Sequence, residues 1–182
     1  MEIGTFAEVC TALVALVGIF LSVREYMRSN KLKRSSYIEP LIEKMKSSEI
    51  SEIVYMFQYG MFDYKKEFHK SGEMERKVDK TLQYFSYLCY LREKKIISKD
   101  EFSFFELEIS QSLRDPNLLD YLFNLYHFVC RVEGYNPNRD GIEKSVYSSL
   151  LKYAKGRGLI GDSFFDKNAY NENDFYHHYL NF

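Results

Sequence analysis

The chain has no tryptophan, only three prolines and only three cysteines in 182 residues. Cys10, Cys89 and Cys130 are odd in number, widely spaced and without a C-x-x-C pair, which argues against a disulfide framework and against a zinc knuckle. An excess of one charge is missing too. The 25 Lys and Arg stand against 26 Asp and Glu, a net charge of −1, so bulk electrostatic binding of nucleic acid is not expected. The sequence holds no G-x-S-x-G elbow, no phosphate-binding glycine loop and no G-x-G-x-x-G. Strand-like alternation of apolar and polar residues does not persist anywhere, so the expected fold is all-α.

What is abundant is aromatic. Sixteen Tyr and fifteen Phe mean that the core or the contact surfaces are built from rings. With 46% apolar and 28% charged residues the chain is no disordered polyelectrolyte, and it is long enough for a compact domain with an appendage.

The one long apolar run lies at the start. Val9–Val23 carries no charge over 15 residues, and Gly4–Val23 carries only Glu8 over 20. Twenty helical residues span about 30 Å, the thickness of a bilayer's hydrocarbon core. Glu8 then belongs near an interface. Glu2 and Glu8 precede the run, whereas Arg24, Arg28, Lys31, Lys33 and Arg34 follow it with Glu25 as the only acid among them. The positive-inside rule places the N-terminus outside and everything from Arg24 onward in the cytoplasm. A cleaved signal peptide would need a basic flank before the run, and here that flank is acidic. Ala7, Thr11, Ala15, Gly18 and Ser22 repeat at helical spacing, a small-residue face through which membrane helices associate.

Residues 24–182 hold 25 basic and 24 acidic side chains, so the basic cluster is local to the juxtamembrane segment. Helical signals dominate thereafter. Tyr37–Lys46 places Ile38, Leu41, Ile42 and Met45 on one stripe with Pro40 in the first turn. Ser51 is a candidate cap for a helix holding Ile53, Val54 and Phe57. Asp63–Lys77 reads as a loop or loosely helical link, and Asp79 as the start of a helix with Leu82, Phe85, Leu88, Cys89 and Leu91 inward. Ser98 and Glu101 have capping-box spacing, and Asp115-Pro116 reads as N-cap and first helical residue. Gly134–Gly141 is a break, and Ile142–Lys155 a further helix with Val146, Leu150 and Leu151 inward. Leu88–Phe102 and Leu151–Phe165 echo each other in order, which reads as a shared helix-stop signature or as a duplicated unit. The tail after Lys167 is rich in Asn and aromatics.

Chemistry finds little to stand on. Asn136–Gly141 imitates the first half of an EF-hand loop, but the position of its bidentate Glu is Tyr147. His127, amid LFNLYHFVC, reads as a core or boundary histidine, and each cysteine lies in an apolar run. No catalytic residue, metal ligand or cofactor is assigned. Tyr84, Tyr87 and Tyr90 line one helix face ahead of Arg92, Lys94 and Lys95, and are a candidate surface for a protein partner rather than for nucleic acid.

This layout of an apolar helix, a basic patch, VDKTLQYFSYLCYLREKKIISKDEF and then RDPNLLDYLFNLYHF resembles the bacterial family called domain of unknown function 4760, over Glu8–Val132. The resemblance implies a single-pass protein of the bacterial inner membrane with a cytosolic helical domain, and it carries no activity or catalytic residue across. Small single-pass proteins of this build also resemble membrane effectors of phage-defence systems. The stretch after Gly134 departs from the family pattern.

The expected organisation is a transmembrane anchor (1–23), a basic juxtamembrane segment (24–36), a helical domain (37–134) and a C-terminal helical extension with the aromatic tail (135–182), with about five to seven cytosolic helices. The expected function is that of a membrane-anchored interaction or regulatory protein, of defence-effector type, acting by self-association. Its expected partners are the bilayer, a second copy or another membrane helix, and a cytosolic protein. The alternative is a soluble or peripheral helical enzyme with a buried N-terminal helix.

Overall fold

The computed structural model describes residues 3–65, 68, 72–137 and 141–171; the side chains of residues 3–10, 12–15, 31, 170 and 171 lie outside that description. Among the described residues there are helices and no strands. The α-helices are α1 (Ile3–Lys46), α2 (Ser48–Gln58), α3 (Glu73–Glu93), α4 (Lys99–Ser112), α5 (Pro116–Val132), α6 (Gly141–Lys144), α7 (Ser148–Gly156) and α8 (Lys167–Asn171). A 3₁₀ turn, η1 (Asp162–Phe165), lies between the last two. The chain divides into two compact units, Met1–Glu43 and Lys44–Phe182.

α1 runs for 44 residues without a break, so Tyr37–Lys46 is its last part rather than a separate helix, and Pro40 sits in its interior. A membrane-spanning helix at the N-terminus is not found among the described residues, none of whose helices is long and apolar enough to cross a membrane. The reason is physical as well as one of extent. The described apolar stretch Leu16–Val23 covers eight residues, about 12 Å of helix, before Arg24, Glu25 and Arg28 interrupt it. Most of the remainder of Gly4–Val23 consists of side chains outside the description.

In the second unit α3 is the hub. Its Val78, Leu82, Phe85 and Leu88 are wholly buried, and it packs against α2, α4 and α7. Those helices contribute Ile50, Ile53 and Phe57, then Phe105 and Ile109, then Leu150, Leu151 and Ala154, all buried. The aromatic excess fills this interior. Phe57, Phe62, Phe68 and Tyr121 form a relay of edge-on rings with centroids 5.1, 5.3 and 5.4 Å apart, a geometry that adds roughly 1 kcal/mol per pair beyond burial.

Two helix starts follow from local chemistry as expected. Ser98 and Glu101 close a reciprocal capping box at α4. Asp115 accepts from the Leu118 N–H at 2.9 Å, with Pro116 opening α5. Each such cap is worth about 1 kcal/mol.

Other boundaries differ from the pattern. Ser51 caps nothing; α2 begins at Ser48 and Ser51 Oγ faces the Ser48 carbonyl within the helix. α3 begins at Glu73, so Asp79 lies inside it and its carboxylate is committed to tertiary bonds. Ile142–Lys155 is two helices, because Ser145 Oγ accepts from the Tyr147 N–H and turns the Tyr147 ring inward. Tyr147 is therefore buried and Val146 exposed, the reverse of the helical expectation for Val146.

The echo between Leu88–Phe102 and Leu151–Phe165 is real at the level of backbone. α3 and α7 both end with a residue at positive φ, Lys95 at 57° and Gly158 at 69°. The next N–H reaches back to the Leu91 and Ala154 carbonyls respectively, each at 2.9 Å, the Schellman pattern. The aliphatics after the turn, Ile97 and Ile160, are buried in both stretches.

Candidate functional site

The residues singled out on α1 share one helix, and its 100° turn per residue sorts them. Leu16, Val17, Ile19, Phe20, Leu21 and Val23 are each more than half exposed and cover an arc of about 200°. Removing six such side chains from water is worth on the order of 10 kcal/mol. The rest of the circumference is small. Thr11, Gly18 and Ser22 fall within about 40° of one another and are exposed. A Cβ built on Gly18 would meet nothing within 4 Å, and Ser22 Oγ is satisfied by the Gly18 carbonyl at 2.8 Å. Ala7 and Ala15, expected on the same face, have side chains outside the description.

Arg24, Arg28, Lys33 and Arg34 follow directly and are exposed. Arg24, Arg28 and Lys33 make no ion pair among the described residues. The Lys31 side chain lies outside the description.

The tyrosine face on α3 is only partly a surface. Tyr87 and Tyr90 are exposed, with Lys94 Nζ 5.8 Å from the Tyr90 ring. Tyr84 is half-buried, and burial raises its hydroxyl well above the usual tyrosine range. The structure thus leaves two of the three rings available to a partner.

A cavity of about 410 Å³ lies beside the C-terminal half of α5, lined in part by His127, Cys130, Arg131, Pro137 and Lys167. Its candidate reactive groups are held in unreactive forms. His127 Nε2 lies 2.9 Å from the Phe164 carbonyl, which accepts its proton, and burial depresses the imidazole pKa below its ordinary value. The ring is therefore a neutral donor that ties α5 to η1. Burial raises the Cys130 thiol, which keeps it protonated. Tyr126, one turn before, gives its hydroxyl to the Pro137 carbonyl at 2.6 Å.

One constellation had no sequence signal. Asp79 Oδ1 accepts from Tyr121 Oη at 2.6 Å and from Tyr147 Oη at 2.9 Å, partners 42 and 68 residues away. It joins α3, α5 and the turn before α7. A carboxylate with two phenol donors is an anchoring arrangement rather than a proton relay, because burial and the nearby Asp79 raise both tyrosines far from physiological pH.

Among the described residues no three His, Cys, Asp or Glu side chains gather where a metal ion could sit. No family model, no curated protein and no solved structure matches the chain.

Proposed function

We propose that this protein is a membrane-anchored helical interaction protein that works by association and not by chemistry of its own. The observation that supports the reading is the exposed apolar band Leu16–Val23 on α1, whose large residues occupy one arc and whose small residues occupy the other. The large arc suits lipid tails. The small arc lets a second α1 approach closely, which is how helices associate where the solvent is itself apolar. The acidic flank before the band and the basic flank after it orient the helical unit toward the cytoplasm. Tyr87 and Tyr90 then offer that unit's contact to a cytosolic partner. The likeness in layout to domain of unknown function 4760, and to single-pass defence effectors, extends the proposal to clustering that perturbs the bilayer. The alternative, a helical enzyme that buries its N-terminal helix, has no such observation behind it.

The test is crosslinking in isolated membranes through Ser22→Cys in a Cys10→Ser background, in which the other two cysteines, Cys89 and Cys130, are buried. Crosslinked dimer that is lost on Gly18→Ile supports association through the small face. Dimer that survives Gly18→Ile refutes that face, and absence of the chain from the membrane fraction refutes the anchor.

A further inference from the structure

The cations after the apolar band do more than set orientation: we propose that they form a basic stripe that recruits anionic phospholipids to α1. The inference rests on the anchor reading above and adds a partner of defined chemistry to it. α1 continues as helix from the apolar band through Arg34 without interruption, so the charges are held at fixed depths. From Arg24 to Arg34 the helix rises about 15 Å. That is close to the thickness of one headgroup layer plus one Debye length at physiological ionic strength.

Every cation in the segment therefore falls where an anionic surface is felt. Arg24, Arg28, Lys33 and Arg34 are exposed, and three of them make no ion pair among the described residues. Arg24, Arg28 and Arg34 occupy one arc of about 120°, Lys33 the opposite side, and Glu25 is the only carboxylate within the segment. The three guanidinium groups therefore form one basic stripe that rises through the headgroup layer, so that each can take a separate lipid phosphate at its own depth. Basic residues near an anionic membrane each favour it by about fivefold in binding constant. Guanidinium groups also hold a phosphate through two parallel hydrogen bonds.

The absence of tryptophan supplies the experiment. Phe20→Trp, at an exposed position one turn before Arg24, gives a single reporter in the full-length chain. The chain is reconstituted into vesicles containing brominated phosphatidylcholine or brominated phosphatidylglycerol, whose bromines quench a neighbouring indole. The expected result is quenching by both lipids, with an apparent affinity about fivefold higher for phosphatidylglycerol. That preference falls toward one in Arg24→Gln/Arg28→Gln/Arg34→Gln and in 1 M salt, where the Debye length shrinks to about 3 Å. Equal quenching by the two lipids in the parent chain overturns the lipid recruitment and leaves the anchor standing. Quenching by neither overturns both.

Discussion

Removing the Asp79 carboxylate should do more harm than removing either phenol that it binds. Tyr121 is 1% exposed and Tyr147 is 3% exposed, so Asp79→Ala strands two donors where water does not reach. A buried donor left unpaired costs about 1–3 kcal/mol, and two of them set a loss of about 2–6 kcal/mol. The converse changes are milder. Asp79 itself is half-buried and open to water, so Tyr121→Phe or Tyr147→Phe leaves an acceptor that solvent can satisfy. Each should cost about 0.5–1.5 kcal/mol, the net worth of one hydrogen bond whose acceptor is returned to water.

Urea unfolding of the full chain in mild detergent, followed by helical circular dichroism, reads the difference. With a slope of about 2 kcal/mol/M, Asp79→Ala should lower the midpoint by about 1–3 M and either phenylalanine variant by well under 1 M. The double variant Tyr121→Phe/Tyr147→Phe should partly rescue Asp79→Ala, because no donor is then left stranded. Equal losses for Asp79→Ala and Tyr121→Phe, or no rescue, would refute the reasoning.

Three further outcomes follow from local geometry. Gly141→Ala puts a Cβ in collision with the Tyr126 hydroxyl oxygen and within 2.8 Å of Cys130 Sγ. The Tyr126 hydroxyl is held by Pro137, so this overpacking should cost about 1–3 kcal/mol despite the usual gain of Ala over Gly in a helix, and Gly141→Ala/Tyr126→Phe should recover only part of it, because Tyr126 Cζ and Cys130 Sγ still lie 2.8 Å from the added Cβ. Lys95 holds φ at 57° where Gly158 stands in the matching turn, and Lys95→Gly should stabilise by about 0.5–1 kcal/mol in the same assay.

The pH dependence has a definite sign at His127, whose pKa is depressed by burial when folded. The unfolded chain binds a proton that the folded one refuses, so His127's contribution is constant above about pH 6.5 and declines below it, by up to about 1.4 kcal/mol per pH unit. His127→Asn should flatten the stability profile between pH 7 and 5.

The legible parts of the fold were those written in short range. The capping box at Ser98, the Asp115-Pro116 start and the matched ends at Lys95 and Gly158 each involve residues within a turn or two, whose backbone demands select the residue types present. Where sequence reasoning slipped, a long-range partner had taken over a local signal. Asp79 resembles an N-cap until Tyr121 and Tyr147 claim it, and Ile142–Lys155 scans as one helix until Tyr147 is drawn inward and breaks it.

Pro40 misled in the opposite sense, since a helix already running for dozens of residues carries through a proline that an isolated helix would place in its first turn. The candidate surface on α1 was visible as spacing, and the structure adds which of its residues are exposed. The loss of Tyr84 from the tyrosine face could not be read, because half-burial of a ring depends on neighbours that periodicity does not name.

The account turns on what covers Leu16–Val23. Carbonate extraction of membranes carrying the full-length chain, beside a version lacking residues 1–23, tests it most directly. The account predicts that the full-length chain stays in the pellet after carbonate and the shortened chain washes off. Release of both would contradict it, and the apolar band would then belong to a protein interface away from lipid.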